Sequence, residues 1–251
     1  NEGHCELIFA VIKLIANKPM DLSKITLLLN PEKAHLNPNH KARGTITTWT
    51  KLGLFEQNGD KIDLSQNAKS SLKKIDNFEF ENKVSYLIRR TLFSSKKNET
   101  DTIWSNESAN DFYRALSWML IQNPFSFCDF SYDTCDRLYK EQQSIKDESR
   151  EIIQGQVRLR GFLPYARFSG FFSGTSVGGS KSFDFIDPTN AIQQDLDLII
   201  KPDEEMELED FLQKLSSELP VFDGGKYRIQ VEQILDKKFY TPLESRTISS
   251  S

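Results

Sequence analysis

The tightest constraint on this chain is a short run with a single easy reading. Asn58-Gly59-Asp60 is a tight-turn signal between two alternating segments, residues 54–57 and Lys61-Ile62-Asp63-Leu64. Asn-Gly pairs tolerate the positive φ that two-residue hairpin turns demand. Upstream, Gly53 suits the left-handed cap of a helix expected over about 39–52. Downstream, Ser65 suits the N-cap of a helix running through Ala68, Leu72 and Ile75. Helix, glycine, strand, turn, strand and capped helix are therefore expected in that order.

Two more helices are expected before them. Leu7, Ile8, Val11, Ile12, Leu14 and Ile15 form an apolar stripe at helical spacing over 4–16, and Pro19 stops it. Asp21 suits the N-cap of a second helix, Leu22 to Leu29, closed by Asn30-Pro31. Asn37-Pro38-Asn39 is the next break. The whole order over residues 3–75 is that of a winged helix-turn-helix, whose third helix can enter the DNA major groove. His40, Lys41, Arg43, Thr45, Thr47, Thr48 and Lys51 are expected to point outward, and Ile46, Trp49 and Leu52 inward. Lys61 is the one cation of the hairpin. Lys and Arg neutralise phosphates, Arg can fork onto guanine, and Thr hydroxyls reach phosphates or bases. Gly44 is awkward inside a helix but permits close backbone approach. The competing reading is a solvated face used for protein contacts.

Composition limits how far a DNA reading extends. Thirty-two basic residues stand against 36 acidic ones, a net charge of -4. A basic coat over the whole surface is excluded, so any nucleic-acid surface is a local patch. Such a patch exists between residues 33 and 61, where Lys33, Lys41, Arg43, Lys51 and Lys61 face only Glu56 and Asp60. The longest apolar run, residues 7–16, is broken by Lys13 and falls short of the ~18 residues of a membrane span. A buried helix is expected there, neither a span nor a signal segment. Cys5, Cys128 and Cys135 are an odd, sparse set that suits a reducing compartment, and the cytoplasm is expected. Cys128 and Cys135, with Asp129, Asp133 and Asp136 nearby, lack the paired spacing of a zinc site. No metal and no cofactor is expected. No spaced nucleophile, base and orienter stands out, so the chain is expected not to be an enzyme.

Residues 77–144 are expected to be helical with loops, with helices over 80–93 and 111–122. Arg89-Arg90 reads as a solvated helix end. The second half faintly echoes the first. Tyr165-Ala166-Arg167-Phe168-Ser169-Gly170-Phe171-Phe172 parallels Trp49-Thr50-Lys51-Leu52-Gly53-Leu54-Phe55, with Ser169 as one extra residue. A glycine-rich turn over 173–180 and a strand over 182–186 are expected next. Asp187-Pro188 then starts a helix. The glycines do not match a phosphate-binding loop in spacing or context. Arg158, Arg160, Arg167 and Lys181 form a second candidate DNA surface. Residues 184–223 carry twelve acids against Lys201 and Lys214. The acids at 203–210 are expected in the first turns of a helix, where its dipole favours them.

Phe185-Ile186-Asp187-Pro188-Thr189-Asn190-Ala191-Ile192, Leu219-Pro220-Val221-Phe222-Asp223-Gly224-Gly225-Lys226-Tyr227-Arg228 and Arg167-Phe168-Ser169-Gly170-Phe171, together with the N-terminal winged helix, resemble the bacterial DpdG family. That resemblance implies an accessory protein of deazaguanine DNA-modification and phage-defence clusters. It implies association with DNA and with a neighbouring ATPase or helicase, and it supplies no catalytic residues. The expected architecture is mainly α with small β-hairpins (α+β). It comprises a winged helix at 1–76, a helical middle at 77–144 and a second winged-helix-like unit at 145–251. The expected function is a non-enzymatic double-stranded-DNA-binding or DNA-sensing subunit. The alternative is an adaptor that docks an ATPase/helicase or nuclease partner without touching DNA. No membrane partner is expected.

Overall fold

The computed structural model describes residues 5–29, 40–74, 79–94, 102–105, 109–124, 130–144, 147, 150–177 and 181–240, with backbone alone at 40, 74, 94, 175–177 and 181–183. The chain is mostly helical with small antiparallel hairpins. It divides into two compact units, Asn1–Glu99 and Thr100–Ser251.

The first unit runs α1 (Cys5–Ile15), β1 (Met20–Asp21), α2 (Leu22–Leu29), α3 (His40–Leu52), β2 (Phe55–Asn58), β3 (Lys61–Leu64), α4 (Gln66–Lys74) and α5 (Phe80–Ser94). Its apolar spacing sets the packing. Ile8, Val11, Ile12 and Ile15 of α1, Ile25 of α2 and Ala42, Ile46 and Trp49 of α3 are buried together with Leu54, Phe55, Ile62 and Leu64. Truncating a buried tryptophan such as Trp49 to alanine costs about 3–5 kcal/mol. The hairpin registers Phe55 against Leu64 and Asn58 against Lys61. A short strand that composition did not foretell, β1, adds to the outer side of β3 and gives the order β1-β3-β2. Phe9 of α1 meets Phe80 of α5 edge to face at 5.1 Å. Arg89, expected at a solvated helix end, is fully buried in α5, and its Nη1 donates to Ser85 Oγ at 3.0 Å.

The second unit runs α6 (Asn110–Met119), α7 (Tyr132–Gln142), α8 (Gln156–Phe168), β4 (Phe172–Val177), β5 (Lys181–Ile186), α9 (Thr189–Ile199), α10 (Leu208–Glu218) and α11 (Lys226–Glu232). Tyr113 of α6 stacks on Tyr227 of α11 at 4.3 Å. Trp118 Nε1 donates to Gln142 Oε1 at 2.8 Å, and Gln142 Nε2 donates to Gln122 Oε1 at 2.7 Å, so these buried polar atoms are satisfied in pairs. Gly174 lies inside β4, paired with Asp184, so the strand occupies part of the stretch expected to be a glycine-rich turn. Helix α10 begins only at Leu208, and Asp203 has a positive φ of 63°. Residues 203–207 therefore precede the helix, leaving Glu209 and Asp210 in its first turn.

One local construction occurs in both units. At the end of α3, the Leu54 N–H donates to the Trp49 carbonyl at 2.9 Å and the Gly53 N–H to the Thr50 carbonyl at 3.1 Å. At the end of α8, Phe171 donates to Ala166 at 3.0 Å and Gly170 to Arg167 at 2.9 Å. Both are Schellman caps with glycine at φ 92° and 81°. Each hairpin is then closed by the same bond, Ser65 N–H to the Leu54 carbonyl and Asp187 N–H to the Phe171 carbonyl. The hydrogen bonds place Gly53 on Gly170 with no inserted residue. Trp49 thus corresponds to Ala166 rather than to Tyr165, and both Trp49 and Ala166 are buried.

Candidate nucleic-acid interface

Helix α3 carries the first basic segment. Its thirteen residues, His40–Leu52, include no acid. Lys41, Arg43, Thr47 and Lys51 are exposed, and Gly44 and Thr48 are half-buried. Ala42, Thr45, Ile46 and Trp49 are buried on the other side. With about 100° of turn per residue, Arg43, Thr47 and Lys51 form one ridge at four-residue spacing. Lys41 borders the same arc from its far edge. Thr45 corrects the expected outward set: it is fully buried, and its Oγ1 donates to the Lys41 carbonyl at 2.7 Å. The side chain of His40 lies outside the described residues. Among the described residues no carboxylate pairs with Lys41 or Arg43.

The hairpin tip adds less charge than the helix. Lys61 is exposed, next to the exposed Asp60. The Asp60 carbonyl accepts the Leu22 N–H at 2.8 Å, which ties the tip to the start of α2. A further cation, Lys69 of α4, was not singled out by sequence. Its Nζ lies 2.6 Å from Asp63 Oδ2 and 3.9 Å from Glu56 Oε1. Glu56 and Asp63 are direct cross-strand partners, so Lys69 relieves a like-charge pair rather than offering charge outward.

The second basic segment is divided by its geometry. Arg160 and Arg167 are seven residues apart on α8, close to two turns, and share a side of the helix. Arg158, two residues before Arg160, points nearly the opposite way and is ion-paired with Asp111. Asp111 also holds the buried Arg114. Arg167 Nε lies 3.1 Å from Asp184 Oδ1 on β5. Lys181 opens β5 opposite Val177, and its side chain lies outside the described residues. Two of the four cations are thus matched by acids within their own unit.

A family model for DpdG-like proteins matches residues 2–251. The chain belongs to the DpdG-like family. No curated protein and no solved structure matches it. Membership points to the bacterial deazaguanine DNA-modification system, in which the DpdG-like family is an accessory and not a known catalytic component. It also points to a multi-protein setting.

A cavity of this DpdG-like chain lies elsewhere. It holds about 510 Å³ in the second unit, with Trp118, Cys135, Tyr139, Ile152 and Ile153 as its buried lining. Four of its five charged lining residues pair off, Lys140 with Asp136 at 2.8 Å and Arg150 with Asp147 at 3.1 Å, and Glu151 is the fifth. Among the described residues no three His, Cys, Asp or Glu side chains are grouped to hold a metal ion. Cys5 and Cys135 are buried and not joined in a disulfide, and Cys128 lies outside the described residues. No described helix is long and apolar enough to cross a membrane.

Proposed function

We propose that this DpdG-like protein is a non-enzymatic, double-stranded-DNA-binding subunit of a bacterial anti-phage defence complex. Its first unit acts as a winged helix, with α3 in the major groove and the β2–β3 hairpin as the wing. The observation that carries the reading is the two-sided build of α3. A buried stripe of Ala42, Ile46 and Trp49 fixes the helix to its core, while Lys41, Arg43, Thr47 and Lys51 face solvent with no acid among them. Such a face can neutralise phosphates and reach base edges in one approach. The proposed surface also takes in His40, at the start of α3, and Lys61 of the hairpin.

Up to four described cations, Lys41, Arg43, Lys51 and Lys61, give a logarithmic salt slope of about −3 to −4 at roughly −0.9 per phosphate contact. The test is duplex binding by the full chain at several salt concentrations, for wild type and for Lys41→Glu with Arg43→Glu. The double variant is expected to lose at least about tenfold in affinity and to show a shallower slope. Wild type without salt-dependent binding, or a double variant that binds equally well, removes the DNA reading.

The ion pairs Arg158–Asp111 and Arg167–Asp184 favour a second reading for the other unit, namely docking of a protein partner such as an ATPase, helicase or nuclease of the same system. That reading gains if Arg160→Glu, on the same unit, loses a co-purifying partner while duplex affinity is unchanged.

A further inference from the structure

Gly44 stands in the interior of α3, two turns before the helix ends at Leu52. Glycine is the poorest helix former after proline, so its presence there needs a physical reason. Three reasons are general: a positive φ, close packing inside the fold, or close approach of something from outside. The first does not apply, because the glycines with positive φ are Gly53, Gly59, Gly155, Gly170 and Gly224. Against the second, Gly44 lies off the buried stripe of Ala42, Thr45, Ile46 and Trp49, although it is itself half-buried, and the melting measurement below decides between the two. Gly44 instead shares a ridge with Thr48 at four-residue spacing, flanked by Lys41, Arg43 and Thr47. Half-buried itself, it is a missing side chain beside the exposed Lys41, Arg43 and Thr47.

Resting on the DNA reading above, we infer that Gly44 is the specificity-determining position of α3: its missing side chain lets base edges on the major-groove floor reach the helix backbone. Lys41, Arg43 and Lys51 hold the phosphates on either side while the notch at 44 sets the depth of insertion. Any side chain at 44 holds the helix off the bases without removing a phosphate contact. Affinity for a preferred sequence then falls while the salt slope is kept, since that slope counts phosphates and not base contacts.

The experiment selects a preferred duplex from a randomised library on the wild-type full chain, then compares wild type with Gly44→Ala on that duplex. Thermal melting is measured on the same preparations. The variant is expected to melt higher, because alanine is the better helix former, and to bind the selected duplex about tenfold more weakly at an unchanged salt slope. Equal affinity overturns the inference while leaving the DNA reading intact. A lower melting temperature also overturns it, because the glycine is then required by packing inside the fold. Failure of wild type to enrich or bind any duplex is seen before any substitution and removes the DNA reading itself.

Discussion

Arg167 Nε lies 3.1 Å from Asp184 Oδ1, so the last turn of α8 is tied to the strand that returns beside it. Asp184 is largely shielded and Arg167 about two-fifths exposed. Solvent screening at Arg167 limits the pair to under about 1 kcal/mol of stability. Its larger consequence is electrostatic, because it withholds one cation from the second basic segment. Asp184→Asn is expected to leave folding nearly unchanged and to steepen the salt slope of duplex binding by about one unit. Fluorescence anisotropy across a salt series measures it. An unchanged slope means that this side of α8 meets no phosphate.

The two Schellman glycines differ in what surrounds them. Both have left-handed backbone, so alanine at either position costs about 1–2 kcal/mol of strain. A Cβ at Gly53 meets nothing within 4 Å, whereas a Cβ at Gly170 would sit 2.9 Å from the Ala191 amide nitrogen. The Ala191 N–H donates to the Gly170 carbonyl at 3.0 Å, so α9 cannot move away without losing that bond. Gly170→Ala is therefore expected to destabilise its unit clearly more than Gly53→Ala destabilises the other. Denaturant unfolding of the two variants compares them directly.

These caps also mark how much was legible in the sequence. Gly53, Asn58-Gly59 and Ser65 each carry a local conformational demand, and the helix cap, the turn and the N-cap at Ser65 form where those residues stand. The helical spacing of apolar residues placed α1, and the Asn37-Pro38-Asn39 break and Gly53 bounded α3. What failed was set by tertiary partners. Thr45 has the composition of a surface residue, yet its hydroxyl is satisfied by its own helix and the residue can be buried. Arg89 is charged, yet Ser85 lies one turn back and accepts from it. The pairing of Arg158 with Asp111 spans two helices, and no local pattern encodes such a distance in sequence. The echo between the halves was visible, but aromatic matching misaligned it. The hydrogen bonds align the glycines instead.

Arg228 and Glu232 form a nearly buried pair on α11, with Nε to Oε1 at 2.6 Å and side chains 7% and 12% exposed. Arg228 Nη1 also reaches the Ser117 carbonyl of α6 at 3.5 Å. Removing one partner leaves the other charge desolvated, which costs about 3–5 kcal/mol. Glu232→Ala is expected to lower the unfolding free energy by that amount. Arg228→Met with Glu232→Leu is expected to recover most of it, since an apolar pair of similar volume leaves no orphaned charge. Equilibrium denaturation of the single and double variants distinguishes a required ion pair from a replaceable one.

Tyr139 lies on the inner face of α7, where its hydroxyl donates to the Arg150 carbonyl and its ring meets Trp118 edge to face at 6.1 Å. Burial pushes its phenol well above the usual range, because a phenolate there would lose its hydration. In the unfolded chain the same phenol titrates near pH ~10. The folded state therefore holds its proton more tightly than the unfolded state. The associated stability is complete below about pH 10 and is lost as pH rises through and beyond that value. Wild type is expected to show an alkaline loss of stability in the second unit starting near pH ~10. Tyr139→Phe removes one hydrogen bond, at a cost of about 1 kcal/mol at neutral pH, together with the titrating group. Its unfolding midpoint is expected to start lower and fall less steeply between neutral and strongly alkaline pH. Unfolding curves followed by tryptophan fluorescence across that range test the sign. Parallel decline of the two proteins would mean that other groups carry the alkaline transition.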